Sequence, residues 1–340
     1  MNTQELSSTV AAMLDGDRGL LAMDESIPTC HKRFAALGIP QTEEARRAYR
    51  ELIVTTPGLG EAISGAILFD ETIRQKTKDG RMFVDLLKQQ GIVPGIKVDN
   101  GAHALAGFPG EKVTDGLDGL RGRLEGYYKE GARFAKWRAV ITIGEGIPTR
   151  ACCEVNAHAL ARYAALCQEA SIVPIVEPEV LMDGAHTIEQ CAAATEQILM
   201  ALFAELRTHR VVLEHTILKP NMVLSALNCP KQASVEEVAD RSVEVYRRAV
   251  PAAVPGVVFL SGGQPADLAS ARLNAIHVRY KGKLPWVVSF SYSRAVQQPC
   301  LELWAGKDAN VAAAQKALYH RAKCNSAARR GEYIPAMEKS

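Results

Sequence analysis

Short apolar, β-branched runs recur eight times along the chain, at residues 19–24, 63–69, 91–99, 134–144, 171–179, 215–220, 256–263 and 285–293. Each is long enough for a strand and too short for a typical helix. Between them lie stretches of helical periodicity rich in good helix formers, such as DETIRQKTKDGRMFVDLLKQQG (70–91), VNAHALARYAALCQEA (155–170), TIEQCAAATEQILMALFAELRTHR (187–210) and ASVEEVADRSVEVYRRAV (233–250). Eight βα units with strands buried on both faces are what a (β/α)8 barrel requires, whereas a doubly wound sheet usually stops nearer about six strands. No Gly-rich dinucleotide fingerprint follows a strand: GLG at 58–60 lacks the third glycine and precedes its strand. No linker, low-complexity tract or charge block divides the chain. Residues 1–340 therefore read as one α/β domain, a TIM barrel, with a short N-terminal helical extension and a C-terminal tail.

The 340 residues are 47% hydrophobic, enough for a large core. Lys and Arg number 40 against 38 Asp and Glu, a net charge of +2, so no global field draws the chain to nucleic acid or a membrane surface, and an anionic ligand must be caught locally. The N-terminus lacks the basic and apolar regions of a signal peptide, and no apolar run approaches the roughly 18 residues of a spanning helix. A soluble, cytoplasmic protein is expected. The eight cysteines (30, 152, 153, 167, 191, 229, 300 and 324) include no C-x-x-C pair and read as reduced, mostly buried thiols. The eight histidines contain no H-x-H or H-E-x-x-H, so the reading includes no metal and no cofactor.

A barrel of this kind places its active site at the C-terminal ends of the strands. Those ends carry Asp24, Asp70, Lys97 with Asp99, Lys136 with Arg138, Glu177 with Glu179, Lys219, Ser261-Gly262-Gly263, and Ser291 with Arg294. Side chains two apart on a strand share a face, so Lys136 and Arg138 point together, as do Glu177 and Glu179. For one pair a structural ion pair would be sufficient explanation; so many charges in one mouth are expensive unless they neutralise one another or work. The only long βα loop, residues 100–116, is placed to cover one side.

These parts suggest a reaction. Val211, Val212, Leu213, Ile217 and Leu218 read as a buried strand ending in Lys219, which the following proline holds extended. Other cations in a desolvated barrel, Lys136 first among them, would depress its pKa and leave a neutral amine able to form a Schiff base with a carbonyl. Glu177 or Glu179 would be the general acid that expels the carbinolamine hydroxyl, and Asp24 the acceptor of a substrate hydroxyl proton. FLSGGQPADLAS (259–270) leads from the seventh barrel strand into a helix and frees backbone N–H groups for an anion, with Arg294 after the last strand. A second anion site is expected where Ser26, Thr29, Lys32 and Arg33 cluster after the first strand. A sugar with a phosphate at each end would bridge the two.

LLAMDES, GAILFDETIRQKTKDG, GIKVD, GLDGL, FAKWRAVITIGEG, ARYAALCQE, IVPIVEPEVLMDG, LKPNMV, FLSGGQ and FSYSRA, in this order from about Gly19 to Asn325, together resemble class I fructose-1,6-bisphosphate aldolases. The resemblance implies a metal-free lyase that splits fructose 1,6-bisphosphate into dihydroxyacetone phosphate and glyceraldehyde 3-phosphate, with a phosphosugar as ligand and a homotetramer as assembly. It puts the Schiff-base lysine on Lys219, the acid/base on Glu177 with Glu179 beside it, the cleavage aspartate on Asp24, and the barrel cations on Lys136 and Arg138. Lys97 resembles the lysine near the far phosphate. Ser261, Gly262, Gly263, Ser291 and Arg294 would hold the ketose phosphate, and Arg33, Ser26, Thr29 and Arg46 surround the first loop.

Three departures accompany the match. Ser293 replaces the glycine usual in the S-Y-G-R motif, SIPTC stands where a glycine is common, and the chain ends at GEYIPAMEKS without the longer tail and terminal tyrosine of animal enzymes. They leave room for a Schiff-base aldolase preferring fructose 1-phosphate or sedoheptulose 1,7-bisphosphate. An inactive barrel serving as a binding partner would not require Asp24, Lys136, Glu177 and Lys219 together.

Overall fold

In the computed structural model, which describes residues 1–339, all eight apolar runs contribute strands. They are β1 (Gly19–Ala22), β2 (Ile63–Leu68), β3 (Val93–Lys97) and, after a hairpin of β4 (Ala102–Ala104) and β5 (Lys112–Thr114), β6 (Phe134–Ile141), β7 (Val173–Val180), β8 (Ile217–Leu218), β9 (Gly256–Phe259) and β10 (Val287–Tyr292). All barrel pairings are parallel, and β10 returns to β1 with Leu20 opposite Ser291, so the chain is a (β/α)8 barrel.

The helix α1 (Thr3–Leu14) precedes the barrel. β1 is followed by α2 (Ile27–Ala35) and α3 (Glu43–Val54), and β2 by α4 (Asp70–Ile73) and α5 (Phe83–Gln89). Then come α6 (Leu120–Lys129), α7 (Arg150–Glu169), α8 (Ile188–Thr208), α9 (Val235–Ala249) and α10 (Ala266–Tyr280), with α11 (Arg294–Trp304) and α12 (Val311–Arg330) after β10. Local chemistry sets the starts of the long helices. Thr187 with Gln190, and Ser234 with Glu237, form capping boxes that satisfy the free N–H groups of α8 and α9 from both directions.

Two cores result. One lies between strands and outer helices and is built from residues such as Leu21, Ile96, Trp137, Val176 and Tyr246. The other fills the barrel: Leu6, Val10, Met13 and Leu14 of α1 meet Leu20, Ile67, Phe134, Ile175, Ile217 and Val258 from the strands. α1 is thus the floor of the barrel. Phe134 needs the space a side chain on β3 would take, since a Cβ on Gly95 would lie 2.3 Å from its ring.

Two expectations about elements need correction. The stretch 70–91 is not one helix: Gly80 adopts φ 91° and the Thr77 N–H bonds the Arg81 carbonyl at 2.9 Å, so a turn separates α4 from α5. The run leading to Lys219 is not one strand either, because Leu213–His215 form a 3-10 turn and only Ile217–Leu218 pair in the barrel. Gln168 explains the break, its side chain accepting from Val212 N at 3.0 Å and donating to Val212 O at 2.8 Å, which takes that residue out of any ladder. The long loop holds the β4–β5 hairpin, tied down by Thr114 Oγ1 donating to the Arg138 carbonyl at 2.8 Å. All eight cysteines are buried and free, and no helix among the described residues is long and apolar enough to cross a membrane.

Candidate active site

The strand ends open into a cavity of about 1130 Å³ whose wall includes Asp24, Lys97, Asp99, Lys136, Arg138, Glu177, Glu179 and Lys219. β6, β7 and β8 set the central geometry. Their register puts Arg138 opposite Glu177, with Ile175 opposite Ile217 two residues below Lys219. Lys136 and Lys219 reach the same carboxylate from different strands: Lys219 Nζ stands 3.2 Å from Glu177 Oε1, and Lys136 Nζ 3.3 Å from Glu177 Oε2. Lys136 Nζ also pairs with Asp24 Oδ2 at 2.8 Å and faces Asp99 Oδ2 at 3.9 Å. Beside them Arg138 pairs with Glu179, and Lys97 with Asp99 at 2.7 Å.

This arrangement corrects the expected crowding of Lys219 by cations. Four cations face four carboxylates in alternation, and the nearest ionic partner of Lys219 is an anion. Such a lattice fits the cost of burying charge, since each ion is balanced by at least one neighbour of opposite sign. Burial acts against ionisation of Asp24, but Lys136 and then Lys219 outweigh it and lower its pKa to about 2. Burial equally disfavours charge on Lys136, and Asp24, Glu177 and Asp99 overcome it, so this ammonium is held well above the usual lysine range.

The anion side of the cavity is assembled from β9, β10 and the loops after them. Ser261, Gly262, Ser291, Ser293 and Arg294 are on the wall. Gly262 and Gly263 take φ of 60° and 100°, backbone that favours glycine. Gly263 stands just behind the wall and packs so closely on Arg294 that a Cβ there would lie 2.8 Å from Nη2. Two groups in this corner have no protein partner among the described residues: the buried Ser291 hydroxyl makes no hydrogen bond, and Arg294 has no carboxylate within 4.0 Å. Under the loop, Arg272 is 5% exposed, donates to Gln264 Oε1 at 2.8 Å and leaves its Nε unbonded. Among the described residues no carboxylate pairs with it, so its charge adds to the positive field beneath Ser261–Gln264.

On the neighbouring wall, since β1 pairs with β10, Ser26 and Thr29 start α2 with their hydroxyls 3.1 Å apart, and Lys32 and Arg33 stand beside them, Arg33 Nη2 lying 3.4 Å from Ser293 Oγ. Arg33 pairs with Glu25 at 2.7 Å; Glu25 also pairs with Arg50 at 2.9 Å. Ser293 adopts φ −104°, so this position makes no demand for glycine, and its hydroxyl donates to Glu25 Oε1 at 2.8 Å. Arg46 does not belong to this wall. It lies 8% exposed on α3, bonded to both oxygens of Glu71 at 2.9 and 2.6 Å and to His31 at 2.7 Å.

Glu25 and Arg272 were outside the expected site set, and Asp99 was among the strand-end charges but had no role assigned. Asp99 had a signal, its two-residue spacing from Lys97. Glu25 follows Asp24 and would be assigned to the opposite face of an extended segment, and Arg272 sits within an ordinary amphipathic helix.

Fold and site together define a barrel enzyme whose lysine-bearing, charge-balanced mouth is lined by anion-receptive groups from the segments after β1, β9 and β10. Residues 5–340 match the family model described as "Glycolytic: Fructose-bisphosphate aldolase class-I". A probable class 1 fructose-bisphosphate aldolase of Xanthomonas axonopodis pv. citri is 58% identical, over 98% of this chain and 99% of that protein. The cytosolic fructose-bisphosphate aldolase 4 of Arabidopsis thaliana is 51% identical over 98% of this chain and 84% of its own length. A solved fructose-bisphosphate aldolase of Plasmodium falciparum, crystallised with TRAP and a small-molecule inhibitor, superimposes with a TM-score of 0.95 at 46% identity, covering 97% of this chain and 95% of that one. The chain belongs to the class I fructose-bisphosphate aldolase family, and the protein is an aldehyde-lyase.

Proposed function

We propose that Lys219 is the Schiff-base nucleophile for cleavage of fructose 1,6-bisphosphate, with Glu177 and Asp24 moving the protons. One observation carries this: Lys219 Nζ lies 3.2 Å from a single carboxylate, Glu177, whose other oxygen faces Lys136. In the cleavage direction the Lys219 amine attacks the ketose carbonyl, and Glu177 donates the proton with which the carbinolamine hydroxyl leaves as water. The resulting iminium draws the electron pair of the bond between the third and fourth carbons, while the hydroxyl of the fourth carbon gives its proton to Asp24. Glyceraldehyde 3-phosphate departs; the enamine takes a proton on carbon, and water releases dihydroxyacetone phosphate and the lysine.

The electrostatics support this division of labour. With a pKa of about 2, Asp24 is ionised at neutral pH and ready to accept a proton. Lys136, 2.8 Å from Asp24, remains a cation and stabilises negative charge developing on oxygen beside it. Glu179 fixes Arg138 at the edge of the group. Ser261, Gly262, Gly263, Ser291 and Arg294 would take the ketose phosphate, and Ser26, Thr29, Arg33 and Lys97 the far one.

Borohydride reduction in the presence of dihydroxyacetone phosphate is expected to leave a covalent adduct on Lys219, formed equally well in EDTA. An adduct on another lysine, or loss of activity with chelator, would falsify the mechanism. Arg294→Ala is expected to raise KM for the phosphorylated ketose by roughly 10–100-fold, the worth of a charge-assisted hydrogen bond to phosphate, with a smaller change in kcat. An unchanged KM would move the phosphate site elsewhere.

The cytoplasmic location and the homotetramer are part of the same proposal. The location is supported by likeness to plant relatives named cytosolic, the assembly by the family resemblance. Sedimentation of the purified chain at several concentrations tests the assembly, and a monomer throughout would refute it.

A further inference from the structure

The helices behind the charged strands carry a cluster that aldol chemistry does not use. His158 lies on α7, Glu205 on α8, and His209 at the C-terminal boundary of α8. Glu205 Oε2 stands 3.2 Å from His158 Nδ1 and 3.4 Å from His209 Nδ1. The two imidazoles meet edge to face with centroids 4.9 Å apart, and one ligand atom from each of the three residues lies within 4.8 Å of the others.

Zinc binds imidazole nitrogen and carboxylate oxygen at about 2.0–2.1 Å, and two such atoms at a tetrahedral angle are about 3.4 Å apart. The two measured separations match two edges of that tetrahedron. We propose that His158, Glu205 and His209 form a surface site for a borderline divalent cation such as zinc, with the fourth position left to water.

The donor set supports the choice of ion. Two imidazoles and one carboxylate suit zinc and its first-row neighbours, whereas magnesium and calcium call for oxygen ligands. Side-chain exposures of 51%, 30% and 22% leave an open approach. His209 Nδ1 also lies 2.9 Å from the Glu205 carbonyl, a hydrogen bond the ring gives up, with its proton, when Nδ1 takes the ion. The competing account is a hydrogen-bonded trio in which both imidazoles donate to one carboxylate oxygen. That trio explains the contacts and predicts no preference among metals.

A bound ion would clamp α7 to α8, the helices that follow β6 and β7, and would stabilise the folded chain by mass action. No local motif announces the site. Only Glu205 and His209 are four apart on one helix, while His158 is 47 residues upstream of Glu205.

The test uses the full-length, tag-free protein stripped with EDTA and dialysed. Zinc titration against a chromophoric chelator should show one bound equivalent per chain that the variants His158→Ala and His209→Ala each weaken by roughly 10–100-fold or more, since losing a ligand costs at least as much as losing its orienting partner. Both variants should retain aldol cleavage, and zinc should raise the melting temperature of the parent chain alone. His158→Gln, which preserves a polar surface, guards against a folding defect. Zinc binding unaltered in all three variants, equal stabilisation by magnesium, or no bound zinc in the parent chain would overturn the proposal.

Discussion

Lys219→Met is expected to lower kcat/KM for fructose 1,6-bisphosphate by about 10⁵-fold while the barrel stays folded. Methionine has nearly the length of the lysine stem and fills the same buried space, so packing is largely kept. What disappears is the amine, and with it the covalent route; a mutation that removes the sole nucleophile costs orders of magnitude in turnover. Glu177 loses one cation but keeps Lys136 at 3.3 Å, so its carboxylate remains compensated. Steady-state assay of the purified variant, with borohydride trapping and circular dichroism alongside, measures all three outcomes. Residual activity above about 1% of the parent, far more than a missing nucleophile permits, would show that another residue can carry the Schiff base.

Lys136→Met is expected to damage both activity and stability. Lys136 faces Asp24, Glu177 and Asp99 together, with a side chain 4% exposed. Removing one partner of a buried ion pair leaves uncompensated charge and costs about 3–5 kcal/mol. The pH dependence carries the sharper test. Asp24 has its pKa depressed in the folded state, from 3.8 to about 2, so its contribution of about 2 kcal/mol is present above pH 4 and lost as pH falls toward 2. The stability gap between parent and variant should therefore be widest near neutral pH and shrink from pH 4 downward. Urea denaturation at pH 7, 5 and 3 reads this directly; a gap that stays constant would mean that packing, not charge, sets the cost.

The barrel was legible because parallel strands covered on both faces must be apolar along their whole length, and eight such runs stand out against amphipathic helices. Asp24, Lys136, Glu177 and Lys219 were legible for a related reason. A charge closing an apolar strand has few places to go in a barrel other than its mouth. The limits were equally physical. Periodicity alone could not reveal that Gln168 would capture the backbone of Val212 and shorten the strand before Lys219. Nor could the list of strand-end charges say which neighbours would be nearest, so the ring read as cationic around Lys219 proved to alternate in sign. Arg46 was placed among the substrate-binding residues by the family resemblance alone, and in the structure both oxygens of Glu71 hold it outside the cavity wall. Arg272 and the His158–Glu205–His209 cluster depend on packing between separate helices, for which short-range spacing carries no signal.

The floor of the barrel has a temporal consequence. The apolar face of α1 finds its partners on β1, β2, β6, β7, β8 and β9, the last of them at Val258. At about 5–20 residues per second the ribosome needs on the order of 10–50 s to make that span. The first helix to emerge thus waits for much of the chain before its greasy side is covered, which makes the nascent N-terminus a natural client for chaperones and a late closing step in folding.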